Sequence, residues 1–151
     1  MIKMKAITLD MDGTFVDFYG VDGWLAYLEA NDPTPYKVAK PLVNLSVLAR
    51  QLNRLQKNGY RLEIVSWLSK TYTAEFDEAV TVAKVEWIQK HLPSVKFDSV
   101  QIVRYGTPKS TMTKYSESIL FDDEQKNLDE WQNSGRKAVN AQQLLEVLKT
   151  L

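Results

Sequence analysis

The sequence predicts a three-layer α/β fold, in which a central parallel sheet of about five strands carries helices on both faces. Two observations lead to this prediction. Short apolar runs rich in strand-forming residues alternate along the chain with longer segments of helical periodicity. The length of 151 residues and the hydrophobic content of 44% suit one domain with a single core. Strands that alternate with helices pair in parallel, because each helix returns the chain to the start of the next strand.

The composition excludes several classes of protein. Nineteen basic and nineteen acidic residues give a formal net charge of zero, so there is no strong nucleic-acid-binding signal and no charge excess to attract a membrane. The lack of cysteine excludes a disulfide scaffold, a thiolate metal site and thiol catalysis. We recognise no signal peptide and no apolar stretch near the roughly 20 residues that cross a bilayer. We therefore expect a soluble, cytoplasmic protein with no membrane partner.

The first half of the chain predicts two strands with an insertion and a long helix between them. Residues 5–9 and 60–65 are the apolar runs of the two strands, which end at Asp10 and Ser66. The helix ends at Asn58-Gly59, a pair that favours a left-handed cap. Its apolar face is formed by Leu45, Leu48, Leu52 and Leu55.

Residues 15–41 do not fit the alternation, and we interpret them as a small cap-like insertion within a single domain of residues 1–151. Residues 32–35, Asp-Pro-Thr-Pro, predict a loop, because proline interrupts a helix and restricts the residue before it. A homo-oligomer stays among the alternatives. A short helix is predicted by apolar residues at helical spacing, namely Val21, Trp24, Leu25 and Leu28.

The second half predicts two helices and three strands. The first helix has Thr73 as its N-cap and ends before Pro93. A terminal helix begins at a capping box of Asn140 and Gln143. The strands are predicted at residues 100–103, 118–121 and 137–139. The buried faces of the two helices contain Phe76, Ala79, Val80, Ala83 and Trp87 in the first, and Leu144, Leu145 and Leu148 in the second.

Polar side chains stand at the carboxyl ends of these strands, where open α/β sheets bind their ligands. Clustered carboxylates repel one another unless a cation lies between them or some of them are protonated, and Mg²⁺ prefers oxygen ligands. We therefore expect one Mg²⁺ site at this edge of the sheet. The side chains are Asp10 and Asp12 after the first strand, Ser66 after the second, Lys109 before the fourth, and Asp122 and Asp123 after it.

These residue types suit phosphoryl transfer. One carboxylate can attack phosphorus, and a second carboxylate two residues away can protonate the leaving oxygen and then activate water. Lys109 and the Ser66 hydroxyl can stabilise the charge of the phosphoryl oxygens, and Lys114 lies close enough in sequence to replace Lys109. Gly13 permits a tight backbone path and leaves room for phosphate to approach amide groups.

The same residues resemble, in order, four motifs of the haloacid dehalogenase (HAD) superfamily of phosphohydrolases. Residues 10–14, Asp-Met-Asp-Gly-Thr, resemble the first motif, and residues 64–66, Ile-Val-Ser, resemble the second. Lys109 resembles the third, and residues 119–123, Ile-Leu-Phe-Asp-Asp, resemble the fourth. The motifs cover nearly the whole chain, and the resemblance implies a Rossmann-like fold of the HAD type.

The resemblance also implies roles in a Mg²⁺-dependent phosphatase that works through an aspartyl-phosphate. Asp10 would be the nucleophile and a metal ligand. Asp12 would act as acid and base and offer its backbone carbonyl to the metal. Asp122 would bind the metal directly, and Asp123 would bind it secondarily or through water. Thr14 would orient the loop rather than react.

The substrate implied by the resemblance is a small phosphorylated molecule. Residues 66–70 and 105–109 look like those of small nucleotidase-like members of the superfamily from bacteria and phages, which suggests a 5′-nucleotide or a polynucleotide-end phosphate. Ser66 and Lys109 would bind its phosphate. Trp67 could stack on a base or sugar. Packing is the alternative role for this ring, as it is for the other aromatic candidates, Trp24 and Tyr36.

One departure from the family pattern keeps other functions open. Many relatives carry a further acid four or five residues after the first acid of the fourth motif, where this chain has Lys126 and Asn127. Asn127 could still hold a metal-bound water. A non-catalytic binding module with this fold is therefore one alternative. A phospho-acceptor domain of the receiver type is another, although its acidic pair precedes the phosphorylated aspartate in the chain.

Four other residues have simpler interpretations. Asp17 either contacts substrate or caps a turn. His91 is favoured at the end of its helix by the helix dipole rather than by a catalytic role. Trp87 and Trp131 are predicted to lie in the core.

Overall fold

The computed structural model describes residues 2–70 and 73–151. In chain order the strands are β1 (Ile2–Leu9), β2 (Val16–Asp17), β3 (Lys40–Pro41), β4 (Arg61–Trp67), β5 (Ser99–Val103), β6 (Tyr115–Asp122) and β7 (Ala138–Asn140). The helices are α1 (Trp24–Glu29), α2 (Thr34–Val38), α3 (Leu45–Lys57), α4 (Ala74–His91), α5 (Gln125–Asn133) and α6 (Leu144–Thr150). The predicted α/β fold with five parallel strands is confirmed.

The central strand of the main sheet is β1, since the strand order is β5-β4-β1-β6-β7 and all pairs are parallel. Parallel pairing places Leu9 beside Ile64 of β4 and Phe121 of β6. The chain segments that follow these three residues therefore emerge at the same edge of the sheet. Ser66 and Asp122 lie on the two strands that flank the end of β1.

Apolar clusters hold helices against both faces of the sheet. On one face, Leu9 packs in a cluster with Leu52 of α3 and Leu148 of α6, and all three are fully buried. On the other face, Leu120 packs with Leu128 and Trp131 of α5. The sequence pattern did not predict α5, because this polar segment has only those two apolar residues facing the core. Among the described residues, no helix combines the length and apolar character needed to span a bilayer.

Trp87 and Trp131 both lie in the core, as predicted, with exposures of 2% and 0%.

The insertion contains the antiparallel pair of β2 and β3 and the short helices α1 and α2. The first helix begins at Trp24, later than the apolar spacing suggested, and the residue before it, Gly23, has a left-handed φ of 74°. The predicted loop at residues 32–35 is wrong in its second half, because α2 begins at Thr34. Pro35 is tolerated there because the first helical turn leaves its N–H groups without intrahelical partners.

The predicted capping box before the terminal helix is also wrong. Asn140 Oδ1 accepts a hydrogen bond from the N–H of Gln142 at 2.9 Å. A 3₁₀ turn at Ala141–Gln143 then precedes α6, so Gln143 lies before this helix instead of in its first turn.

Truncation of Leu52 tests the assignment of the core. We expect Leu52→Ala to lower the free energy of unfolding by about 2–5 kcal/mol, because it leaves a cavity between α3 and the sheet. Val82→Ala, at a position of α4 that is 48% exposed, should change it by less than about 0.5 kcal/mol. Urea denaturation monitored by tryptophan fluorescence measures the free energy of unfolding of both variants. Losses of equal size would contradict the assignment of the core.

Candidate active site

Adjacent strand ends bring the acidic and polar side chains of the candidate site together. The Asp10 N–H donates to the carbonyl of Phe121 at 3.0 Å, which joins the end of β1 to β6 directly before Asp122. Ser66 is buried near the end of β4, on the other side of β1. The convergence expected from the sequence is therefore produced by the order of the strands.

Three carboxyl groups form a cluster at this edge. Oxygens of Asp10, Asp122 and Asp123 lie within 4.8 Å of one another. Burial, and then the charge of Asp10, raises the pKa of Asp122. The same causes, together with the charge of Asp122, raise the pKa of Asp123 to about 8. This concentration of negative charge and oxygen donors fits a hard divalent cation such as Mg²⁺.

Lys109 partly neutralises the cluster. Its side chain is 1% exposed, and its Nζ donates to Asp10 Oδ1 and to Asp122 Oδ2, each at 2.8 Å. Burial alone would lower the pKa of Lys109, but the charges of Asp10 and Asp122 outweigh that effect and raise it. The ammonium therefore stays charged between the two carboxylates. Lys114, the other lysine considered, is exposed at the opposite edge of the sheet, where its carbonyl accepts from the Ile2 N–H.

The loop after β1 holds the second oxygen of Asp10. The Thr14 hydroxyl donates to Asp10 Oδ2 at 2.8 Å, which matches the orienting role expected for this residue. Gly13 has a left-handed φ of 83°, and a Cβ at this position would lie 2.6 Å from Cγ of Asp123 and overlap Oδ2 of the same residue. Glycine is therefore needed both for the turn and for the approach of Asp123.

A second buried lysine, Lys84 of α4, belongs to the site and was missed by the sequence analysis. Its Nζ donates to Asp12 Oδ2 at 2.9 Å, to Ser66 Oγ at 2.7 Å and to the Trp67 carbonyl at 2.8 Å. Burial raises the pKa of Asp12, while the charge of Lys84 opposes that rise. The Asp12 carboxyl thus lies outside the cluster of three and has its own cation. One signal was available, since Lys84 follows Val80 by four residues and precedes Trp87 by three, on the apolar face of the helix.

Asn127, which follows Asp122 by five residues, contacts the acidic cluster. It is 6% exposed, and its Nδ2 donates to Asp122 Oδ2 at 3.1 Å. The same Asp122 oxygen accepts from Lys109, and the other oxygen accepts from the Glu124 N–H at 2.9 Å. Asn127 thus orients Asp122 directly, and the water-holding role expected from the sequence stays a prediction.

A buried polar cluster fixes the segment that follows Lys109. Glu63, in the interior of β4, is 1% exposed and accepts from the hydroxyl of Thr8 at 2.6 Å and from that of Thr113. Thr113 follows the 3₁₀ turn Lys109–Thr111. The network therefore ties the connection that carries Lys109 to the two central strands.

A cavity of about 430 Å³ opens over the carboxylates. Trp67 forms part of its wall, with its ring centroid 4.8 Å from that of Tyr105 and 5.5 Å from Lys109 Nζ. Trp67 Nε1 donates to the Thr107 carbonyl at 2.9 Å, so the ring is held in place from behind. Aromatic residues make up much of the wall: Phe18, Tyr19, Trp24 and Tyr36 come from the insertion, Trp67 from the end of β4 and Tyr105 from the loop after β5.

Two candidate residues lie outside the cavity wall. His91 stacks on Trp87 with a centroid separation of 4.0 Å, and its Nδ1 lies 3.0 Å from the Trp87 carbonyl. Asp17 belongs to β2, where it pairs with Lys40.

Comparison with known proteins identifies the fold. No protein-family model matches the chain, and no curated protein matches it. A protein described as a phosphoglycolate phosphatase from Lactobacillus delbrueckii is 15% identical with a TM-score of 0.58, and the match covers 97% of this chain and 99% of that chain. The D,D-heptose 1,7-bisphosphate phosphatase from Burkholderia thailandensis is 12% identical with a TM-score of 0.55, over 97% and 99% of the two chains. A protein described as a HAD-like phosphatase from Mesorhizobium loti is 14% identical with a TM-score of 0.57, over 90% of this chain and 71% of that chain.

The chain has the HAD-like fold. This confirms the fold expected from the four motifs. At identities of 12–15% the similarity concerns the fold alone, and the activity has to be argued from the site.

Substitution of Gly13 tests the close approach of Asp123. We expect Mg²⁺ to raise the melting temperature of the wild-type protein, and we expect Gly13→Ala to reduce that rise, because the new Cβ displaces the Asp123 carboxylate. Gly135→Ala is a matched control, since Gly135 has a similar φ of 88° but nothing within 4 Å of the added Cβ. Both variants should lose stability from backbone strain, about 1–3 kcal/mol. Equal Mg²⁺ responses in the two variants would contradict this placement of Asp123.

Proposed function

We propose that this protein is a Mg²⁺-dependent phosphomonoesterase in which Asp10 forms an aspartyl-phosphate. The observation that carries the proposal is that donors hold both oxygens of the Asp10 carboxylate within the cluster of three acids. Oδ1 accepts from Lys109 and Oδ2 accepts from Thr14, and Asp122 and Asp123 lie beside Asp10 at the same edge of the sheet. A carboxylate held by neighbouring donors in a cavity is placed to attack a phosphorus atom.

Asp10, Asp122 and Asp123 would hold Mg²⁺, with the backbone carbonyl of Asp12 as a further ligand. When bound, the ion supplies positive charge that stabilises the phosphoryl oxygens in the transition state. Lys109 Nζ lies 2.8 Å from Asp10 Oδ1, so it would contact an oxygen of the phosphoryl group that Asp10 attacks. The Ser66 hydroxyl, on the other side of β1, would donate to another.

The reaction proceeds in two steps. Asp10 first forms a bond to phosphorus while the bond to the ester oxygen breaks, and that oxygen takes a proton from Asp12. Asp12, now a carboxylate, then accepts a proton from water. The water oxygen bonds to phosphorus, and the bond to Asp10 breaks. Asp10 returns to its starting state, and inorganic phosphate leaves.

We further propose that the substrate carries an aromatic base. It would be a 5′-nucleotide or a polynucleotide with a terminal phosphate. The aromatic wall of the cavity supports it, because every base has a face that stacks on such rings. The insertion would act as a small cap on this substrate, since its aromatic residues form part of the same wall.

Asn127 favours a second candidate, a binding module that retains the fold without turnover. The amide of Asn127 stands where the fourth HAD motif often has an acid, and it donates a hydrogen bond to Oδ2 of Asp122. Such a module would bind phosphate esters and release no phosphate. The turnover assay below separates the two candidates.

Replacement of the nucleophile tests the proposed mechanism. We expect Asp10→Asn to lower Mg²⁺-dependent hydrolysis of 4-nitrophenyl phosphate by at least about 1,000-fold, because an amide cannot form the phosphoryl intermediate. Asp129→Asn, a change at an exposed acid of α5, should leave the rate unchanged, and EDTA should abolish the wild-type rate. Wild-type protein that releases no phosphate from a broad panel of esters with Mg²⁺ would contradict the proposal.

A ligand screen tests the substrate class. We expect nucleoside 5′-monophosphates to bind more tightly than sugar phosphates to Asp10→Asn in the presence of Mg²⁺. Trp67→Ala in the same background should lower nucleotide affinity by about 5- to 150-fold, the equivalent of about 1–3 kcal/mol of stacking. Trp67→Phe keeps a ring but loses the hydrogen bond to Thr107, so it should retain most of the affinity. A preference for sugar phosphates would contradict the nucleotide proposal and leave the phosphatase proposal intact.

A further inference from the structure

Lys84 is a buried cation at the site, and the mechanism above gives it no role. The residue is 1% exposed, and its ammonium donates to Asp12, Ser66 and the Trp67 carbonyl. The ring centroid of Tyr36 lies 5.1 Å from Nζ. An ammonium has three N–H groups, so each proton of Lys84 has a fixed acceptor.

The position of this ammonium is fixed by a packed helix. The hydroxyl of Thr73 accepts from the Phe76 N–H at 3.1 Å and caps the first turn of α4. Val80 and Ala83, one turn before Lys84 and directly before it, are buried at 0% and 1% exposure. A side chain carried by such an element holds its geometry better than one carried by a loop.

The contact with Lys84 decides how the Ser66 hydroxyl can act. An ammonium only donates, so Ser66 Oγ accepts from Lys84, and the hydroxyl proton is left for another acceptor. Within residues 2–70 and 73–151, no protein group accepts that proton. Ser66 lines the cavity, so its proton is available to a phosphoryl oxygen.

The contact with Asp12 leaves one carboxyl oxygen free. Oδ2 accepts from Lys84, whereas no group of the described chain donates to Oδ1. The Asp12 side chain is 18% exposed and lines the cavity. Lys84 thus holds the carboxyl at one oxygen and leaves the other for the substrate.

We infer that Lys84 is a positioning residue for proton transfer, which holds Asp12 and Ser66 in a single arrangement so that Asp12 meets the leaving-group oxygen of a phosphate held by Ser66. The inference rests on the proposed function. In the first step the electron pair of the breaking bond stays on the ester oxygen, which takes the proton of Asp12 as Asp10 bonds to phosphorus. Lys84 touches none of these reacting atoms.

A positioning role for Lys84 and simple charge compensation by Lys84 predict different effects on good and poor leaving groups. A misplaced Asp12 slows the loss of leaving groups that need a proton. It has little effect on leaving groups that depart as stable anions. A general loss of positive charge at the site would slow both kinds of ester alike.

The test compares kcat/KM for a simple alkyl phosphate and for 2,4-dinitrophenyl phosphate, which carry the same phosphoryl group on poor and good leaving groups. The value of kcat/KM for each ester reports on the steps up to and including the first phosphoryl transfer. We expect Lys84→Met to lower kcat/KM by at least about 100-fold for the alkyl ester and by no more than about 10-fold for the dinitrophenyl ester, whose loss comes from Ser66 alone. Lys84→Arg, which keeps a cation, should recover part of the loss on the alkyl ester. Lys90→Met, an exposed lysine of the same helix, should leave both values unchanged.

Losses of equal size on the two esters, or no loss on either, would overturn the inference while leaving the phosphatase function in place. Circular dichroism establishes that each variant is folded. If Lys84→Met does not fold, Lys84→Gln removes the charge and shortens the side chain while keeping a polar group in the buried position, and the same comparison between esters applies. A wild-type protein that hydrolyses neither ester would instead contradict the proposed function, and the inference would fall with it.

Discussion

Repulsion between carboxylates at the carboxyl edge of the sheet is the constraint on which the rest of the site depends. Asp10 and Asp122 are buried beside Asp123, and bringing these groups out of water together is costly without opposite charge. Two buried lysines divide the compensation. Lys109 pairs with Asp10 and Asp122, whereas Lys84 pairs with Asp12. The remaining negative charge is what a divalent cation would neutralise.

The topology of the sheet explains why these charges meet. The acids belong to the ends of β1 and β6, which are neighbours at the centre of the sheet. The two lysines come from outside the strands, Lys109 from the connection into β6 and Lys84 from α4. Each lysine therefore depends on packing away from the site. The hydrogen bond of Thr113 to Glu63 anchors the connection that carries Lys109, and the buried apolar face of α4 fixes Lys84. A defect in either support would displace a charge at the site.

The sequence was sufficient for the sheet and for the acidic cluster, because the apolar runs are clear and the acids directly follow them. It did not predict α5, whose polar composition hides a helix anchored by Leu128 and Trp131. Lys84 and Glu63 were missed for a related reason. Charged residues are rarely buried unless paired, and their partners, Asp12 and Thr8, are distant in the chain. Only the fold shows that they meet.

The central claim is that Asp10 carries the phosphoryl group during turnover. The most direct measurement is rapid acid quenching of the wild-type protein during hydrolysis of a ³²P-labelled ester with Mg²⁺, followed by peptide mapping with mass spectrometry. The account predicts label on the peptide that contains Asp10, at this residue, with loss of the label on treatment with hydroxylamine. Label on any other residue, or steady turnover with no labelled protein at any quench time, would contradict it.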